Sequence, residues 1–349
     1  MEGVRGRGAA ENPKNRFEEI EVQADPDAPE EERPAPATRF YRDDAKSVIA
    51  TNDSPDVGFS ASLNPYRGCE HGCIYCYARP THEYLGFSAG LDFETRILVK
   101  ESAPVLLRKE LMAPSWKPQV VAISGVTDCY QPVERRLRLT RGCLEVFAEF
   151  RNPVIIVTKN HLVTRDADLL SDLARRRAAA VCVSVTTLDG DLARAMEPRA
   201  STPSRRLDAI SKLSAAGVPV VVLIAPVIPG LTEHEIPAIL SAAREAGARH
   251  AGRVMLRLPF GVKELFEKWL ERHEPLKRSK VLSRIRDMRG GRLNDPAFGS
   301  RMSGQGAIAD QIHQLFSATC LRLGISERGP ELSVDSFRRP GPVQLPLFQ

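Results

Sequence analysis

The chain has 349 residues, 42% of them hydrophobic, with 49 Lys and Arg against 44 Asp and Glu, a formal charge of +5. That is enough for one large core, and no apolar run reaches the length of a membrane-spanning helix. Seven cysteines without disulfide-like spacing, behind an N-terminus with no apolar leader, point to a reducing cytoplasm and to no membrane partner.

Residues 1–40 carry six basic and ten acidic side chains, a net of −4, which leaves +9 on the remainder. This segment is rich in Glu, Asp, Pro and Arg without apolar periodicity and is expected to be a disordered tail. A basic body favours a polyanionic partner, nucleic acid above all.

The ordered core is expected over residues 41–260. After a cysteine-bearing loop, Glu94–Lys100 alternates like a first strand. Val120–Ser124 reads as a strand and Thr140–Phe150 as a helix. Then come Pro153–Thr158, a helix near Ala167–Arg177, Ala180–Thr186, and a helix near Ser204–Ala216. Val218–Ala225, a helix over Glu233–Ala246 and a last strand, Arg253–Leu258, complete the series. Continuous β-branched strands alternating with helices mean parallel βαβ units in an α/β fold. Residues 261–325 read as a helical extension, with two helices over Lys263–Met288 and a closing helix over Ala309–Leu323. Residues 277–292 hold seven Lys or Arg and a single acid, Asp287, which makes the extension basic. Residues 326–349 read as a flexible tail.

The densest chemistry is the run Asn64-Pro-Tyr-Arg-Gly-Cys69-Glu-His-Gly-Cys73-Ile-Tyr-Cys76-Tyr-Ala78. Three thiolates are soft ligands for zinc or an iron–sulfur cluster. A structural zinc site wants a fourth Cys or His at matching spacing. A cluster held by three thiolates keeps one iron open.

The Cys-x3-Cys-x-aromatic-Cys pattern resembles the signature of radical S-adenosylmethionine (radical SAM) enzymes. The chain resembles a bacterial branch related to spore photoproduct lyase, over roughly residues 60–325. The resemblance implies a partial (β/α)6 barrel and a [4Fe–4S] cluster on Cys69, Cys73 and Cys76. It also implies S-adenosylmethionine (SAM) on the open iron, and an electron donor such as flavodoxin or ferredoxin. One electron would cleave SAM to a 5′-deoxyadenosyl radical that abstracts a hydrogen from substrate. Tyr75 matches the aromatic position near the adenine.

In such barrels the chemistry collects where the strands end. The segment Thr127-Asp-Cys-Tyr-Gln-Pro-Val-Glu134 resembles Thr-Asp-x-Tyr-Gln-x-x-Glu of that branch. Asp128, Gln131 or Glu134 is therefore expected to accept from the SAM ammonium, with a helix-initiating turn as the rival reading of Asp128. Lys159, after the third strand of the series, is a candidate partner for the SAM carboxylate or a surface lysine. Ser184 falls where the family places hydroxyls for the ribose, and a core hydroxyl is its rival. The stretch Glu197-Pro-Arg-Ala-Ser-Thr-Pro-Ser-Arg-Arg-Leu207 resembles Glu-Pro-x-Ala…Arg-Leu, and Arg199 is expected to clamp the carboxylate. Ile228, in a Pro-x-x-Pro-Gly element, is expected against the adenine.

Cys143, Cys182 and Cys320 lie in apolar contexts and read as core residues. Cys129, just past the second strand, is the candidate hydrogen-atom donor. The resembling lyases place their donor cysteine near the position of Gly125, so photoproduct repair in the strict sense lacks its thiol here. The final Gln344-Leu-Pro-Leu-Phe348 resembles the peptide with which bacterial DNA proteins bind the polymerase sliding clamp. Its alternative is a hydrophobic tail folded on the barrel. The combined reading is a cytoplasmic radical SAM enzyme acting on DNA, in lesion repair or nucleic-acid modification. Radical chemistry on a protein or small molecule, or a non-catalytic iron–sulfur or zinc protein recruited to DNA, are the alternatives.

Overall fold

The computed structural model describes residues 4–18 and 36–341. Strands β1 (Arg39–Arg42), β2 (Ile49–Thr51), β3 (Ala61–Leu63) and β4 (Tyr66–Arg67) precede the cysteine loop. After it come α1 (Leu91–Thr95), β5 (Arg96–Val99), α2 (Ala103–Met112), β6 (Val121–Ile123), α3 (Glu134–Leu137) and α4 (Leu139–Phe150). Then follow β7 (Val154–Thr158), α5 (Ala167–Ala174), β8 (Ala179–Ser184), α6 (Gly190–Met196), α7 (Pro203–Ala215) and β9 (Val220–Val227). The chain continues through α8 (Ile236–Glu245), β10 (His250–Met255), α9 (Val262–His273), α10 (Pro275–Asp287), α11 (Ser300–Ser303) and α12 (Ala307–Leu323).

Strands β3, β6, β7, β8, β9 and β10 pair in that order, all parallel, and β2 adds antiparallel to β3 at the outer edge. This is the six-strand parallel array expected, with helices between the strands. One assignment needs correction. Arg96–Val99 is not the first barrel strand: β5 sits with β1 and β4 in a separate three-stranded sheet. The first barrel strand is Ala61–Leu63, before the cysteine loop. Three residues followed by Asn64-Pro65 are too short to show a periodicity, whereas β5 alternates cleanly.

Local chemistry explains the remaining boundaries. The Val-Ile-Ile-Val run of β7 and the Ala-Ala-Val-Cys-Val run of β8 suit strands buried on both faces. Asp189 caps α6 by accepting from the Asp191 and Leu192 amides at 2.8 and 3.0 Å. Pro203 opens α7, where its missing N–H costs nothing. The main core lies between the sheet and its helices and includes Phe147, Phe150, Ile156, Leu170 and Ile224. A second apolar cluster joins the cysteine loop to α9 and α10 through Tyr75, Ile228, Phe266, Trp269 and Val281.

Both ends depart from the expected tails. In residues 4–18, the Gly8 and Ala9 amides donate to the Glu94 carboxylate at 3.0 and 2.8 Å, and Asn15 Nδ2 donates to the Glu83 and Phe87 carbonyls. Charged, Gly-rich sequence looked unstructured, but its backbone donors meet a buried acid. In residues 326–341, Ser326 pairs with the backbone beside β10, Phe337 packs on Phe150, and the Arg338 amide donates to the Phe150 carbonyl at 2.9 Å. Residues 19–35 and the clamp-like peptide Gln344–Phe348 lie outside the described residues.

Candidate active site

The cysteine loop leaves β4 at Gly68 and returns through a 3-10 turn over Arg79–Leu85. Gly72 adopts φ +68, and a Cβ there would lie 2.7 Å from Glu94 Oε2, so the turn requires glycine. Arg79 fills the inside of the loop. Its Nε donates to the Cys73 carbonyl at 3.0 Å and Nη2 to the Gly72 carbonyl at 3.2 Å, while Glu94 neutralises it at 2.5 Å. Both side chains are fully buried, so each needs the other.

The segment after β6 grips the loop from the other side. Gln131 accepts from the Glu70 amide at 2.9 Å and donates to the Gly68 carbonyl at 3.2 Å. Glu134 accepts from Tyr66 Oη at 2.5 Å, the Thr140 amide at 3.1 Å and Arg165 at 2.8 Å. Both are wholly buried. The expectation that Gln131 or Glu134 accepts from SAM is therefore corrected: their acceptors already satisfy the loop and the core.

Asp128 is also committed. Its carboxylate takes the Lys159 amide at 2.7 Å, the Tyr130 amide at 2.9 Å, the Thr158 hydroxyl at 2.8 Å and His71 Nδ1 at 3.3 Å. Burial alone would raise this carboxyl, but His71 and the two amides outweigh burial and hold it below the usual range. Asn160 Nδ2 lies 3.0 Å from His71 Nε2. Both ring nitrogens of His71 therefore face polar partners, Nδ1 toward Asp128 and Nε2 toward Asn160. Asp128 thus ties the cysteine loop to the end of β7.

Lys159 stands at the centre of the strand ends. Its Nζ donates to the Ala225 carbonyl at 2.8 Å and to Thr186 Oγ1 at 3.2 Å, and lies 3.3 Å from Glu197. It also sits 5.6 Å from the Tyr75 ring centroid. Burial, then the neighbouring Arg206, pulls its pKa down to about 8. Tyr75 donates its hydroxyl to Glu197, and Ile228, wholly buried, packs in the same apolar cluster. Ser184 ends β8 with its carbonyl accepting from Arg206 at 3.2 Å. The structure therefore brings Tyr75, Lys159 and Ile228 to the cysteine loop.

Two assignments fall elsewhere. Arg199 pairs with Glu70 at 3.0 Å and reaches Thr38 at 3.3 Å, beside β1. The guanidinium at the strand ends is Arg206, which pairs with the fully buried Glu197 and donates to the Ser201 carbonyl at 2.7 Å. Both residues stood in the stretch that suggested Arg199. The rule that a buried acid needs a cation would have selected them. Cys129 lies wholly inside the main core, near Tyr130, Leu144 and Cys143, with its thiol pushed well above the ordinary value by burial and Asp128. It faces no mouth, because the residue after Asp128 turns inward on this loop, and the hydrogen-donor expectation is corrected.

Burial raises the thiols of Cys69, Cys73 and Cys76, and Cys69 also feels Asp128 and the other two sulfurs. Such thiols cannot easily ionise alone, yet coordination removes the proton outright. Among the described residues no three His, Cys, Asp or Glu are gathered as for one metal ion. Three soft thiolate donors on one loop suit an iron–sulfur cluster, whereas a structural zinc site takes four ligands.

A family model of the Radical SAM superfamily matches residues 63–243. The chain belongs to that superfamily. Its members use a [4Fe–4S] cluster and SAM, and Cys69, Cys73 and Cys76 are the residues that fit the cluster. An uncharacterized protein of Mycobacterium tuberculosis is 37% identical over 244 residues, 68% of this chain and 71% of that one. One from Methanocaldococcus jannaschii is 30% identical over 190 residues, 54% of this chain and 69% of its own. Among solved structures, a spore photoproduct lyase mutant with bound AdoMet and dinucleoside spore photoproduct superposes with a TM-score of 0.58 at 14% identity, covering 82% of this chain and 80% of that one. That likeness is one of fold.

The basic stretch also looks different in three dimensions. Lys277 pairs with Glu274 at 3.0 Å, Arg278 with Glu271 at 3.6 Å, Arg286 with Glu267 at 3.9 Å, and Arg284 with Glu233. Arg289 is buried and donates to the Leu256 and Ser300 carbonyls. The acids come from α9, from Glu274 at the N-cap of α10 and from the β9–α8 connection, so the linear run overstates the free charge. Among the described residues no helix is long and apolar enough to cross a membrane.

Proposed function

We propose that this radical SAM enzyme acts on nucleic acid, DNA above all, in lesion repair or modification. The observation that carries the proposal is the reach of the fold likeness. It extends over 82% of the chain, well beyond residues 63–243, to a lyase holding a dinucleoside lesion. The basic body points the same way.

In this reading Cys69, Cys73 and Cys76 hold the cluster, which when bound supplies the electron that cleaves SAM. Lys159 offers positive charge to the SAM carboxylate, and Ser184 a hydroxyl to the ribose. Tyr75 and Ile228 form an apolar wall for the adenine. The Glu197–Arg206 pair holds Tyr75 and Lys159 in place and keeps water from the strand ends. Asp128 fixes the loop against β7. The four described cysteines outside the loop are all buried, which favours a modification that needs no thiol donor over photoproduct repair itself.

A flavodoxin or ferredoxin as electron donor, a cytoplasmic setting, and clamp binding by Gln344–Phe348 complete the proposal. The test is anaerobic turnover with SAM and reductant, with and without ultraviolet-damaged DNA. Stimulation of 5′-deoxyadenosine release by DNA is expected. Release indifferent to DNA but raised by a protein or small-molecule fraction would move the substrate to the alternative class.

A further inference from the structure

Arg257 lies two residues beyond β10, on the strand-end side of the barrel. Its guanidinium sits 5.2 Å from the ring centroid of Tyr77, the residue that follows Cys76. Tyr77 is anchored across the barrel opening, its hydroxyl donating to the Gly125 carbonyl at 2.6 Å just past β6. The ring itself is 49% exposed.

Arg257 Nε is buried and has no hydrogen-bond partner among the described residues. Among the described residues its Nη1 reaches the Met302 sulfur at 3.6 Å, a weak acceptor, and no other partner. Beside it Arg301 lies 4.3 Å from the Phe298 ring centroid and is held by Asp56 and Ser54. Asp56 also accepts from the Gly299 amide at 2.7 Å, so the nearby acid is already shared. Burial and the like charge of Arg301 lower the Arg257 pKa. A poorly paired, half-desolvated cation is costly unless an anion completes it. Phe298, the ring under Arg301, is 59% exposed, and Met302 next to Arg301 touches Arg257, so a second open ring lies in the neighbouring segment.

We propose that this rim, with Arg257 against Tyr77 and the neighbouring Arg301 against Phe298, receives single-stranded or locally unpaired nucleic acid, a phosphate on Arg257 and bases against the open rings. The inference rests on the nucleic-acid reading above and names the surface that performs it. Alternating cations and exposed aromatic faces are the means by which single strands are held without regard to sequence, whereas a duplex hides its base faces. The basic helix α10 carries no aromatic face.

The test uses the full chain and a short fluorescein-labelled oligothymidylate followed by anisotropy. Phe298→Ala should weaken binding about tenfold, the usual worth of one stacked base. Arg257→Gln should weaken it comparably and lower the salt slope by about one. Lys277→Gln with Lys280→Gln on α10 should leave both unchanged. Phe298 is exposed, so that variant remains informative if Arg257→Gln folds poorly. Oligonucleotide binding that survives the rim substitutions and is lost on α10 overturns this assignment while leaving nucleic acid as the substrate. A wild type that binds no oligonucleotide overturns the functional reading itself. Arg257-dependent binding of a poly-glutamate peptide in its place would make the rim a protein-reading surface and refute the proposal.

Discussion

Gly8→Ala isolates the contact between the N-terminal segment and the cysteine loop. A Cβ on Gly8 would lie 1.7 Å from the Gly72 carbonyl oxygen and 2.9 Å from its carbon, both backbone atoms that cannot turn aside. The substitution must therefore lift Gly8 and Ala9 from Glu94, whose carboxylate accepts their amides at 3.0 and 2.8 Å. A hydrogen bond to a charged group is worth about 1.5–3 kcal/mol. Arg79 still neutralises Glu94 after the change, so the low end applies, and the two bonds together cost about 3 kcal/mol. At about 1.4 kcal/mol per decade this is roughly a hundredfold rise in the opened population. Hydrogen exchange measures that population directly when closing is fast. The Ala9 amide should exchange about a hundredfold faster, by the same arithmetic. The Cys69 amide, bonded to the Phe93 carbonyl at 2.9 Å, should stay protected. Unchanged exchange over residues 4–18 would refute the close approach of the two glycines.

Replacing any one of Cys69, Cys73 and Cys76 by Ala should reduce bound iron and abolish SAM cleavage, read by iron analysis and 5′-deoxyadenosine release; full cleavage without all three would refute the cluster assignment. Cys129→Ala should cost about 1 kcal/mol in denaturant unfolding, as modest core losses do, and leave SAM cleavage and its product unchanged; an altered product would return the thiol to the chemistry. His82, wholly buried, is pulled down to about 4, first by desolvation, from an ordinary 6.5. The unfolded chain therefore binds the extra proton between these values, so the stability contribution is complete above pH 6.5 and falls as pH drops toward 4. The total is about 3 kcal/mol, and His82→Gln should flatten that acid limb in pH-dependent denaturation. Leu347→Ala with Phe348→Ala should weaken binding to a bacterial sliding clamp by more than about 2 kcal/mol, measured by calorimetry, while SAM cleavage persists.

The cysteine spacing alone singled out the candidate ligand set, and the alternation of β-branched runs with helices carried the parallel α/β order. Both are local patterns: three thiolates on one loop and a strand buried on both faces each leave a continuous signature in the chain. Tyr75, Lys159 and Ile228 became candidates for the same reason, because they lie in or just after such elements, and the structure sets them near one another. What the sequence could not decide was direction and partnership. Asp128, Cys129, Gln131 and Glu134 occupy consecutive turns of one segment, and only packing shows that the acceptors grip the cysteine loop while the thiol enters the core. Arg199 and Arg206 read alike in a string of letters, but a buried Glu197 selects the second. Much of the basic run of α10 is ion-paired, Lys277 locally by Glu274 and Arg278, Arg284 and Arg286 by acids of α9 and the β9–α8 connection. The N-terminal segment was ordered by an acid some eighty residues away. Composition and spacing determined which chemical groups this protein carries. Tertiary structure decided which of them remain unsatisfied and open to a ligand, because a hydrogen bond or ion pair depends on distance in space and not along the chain.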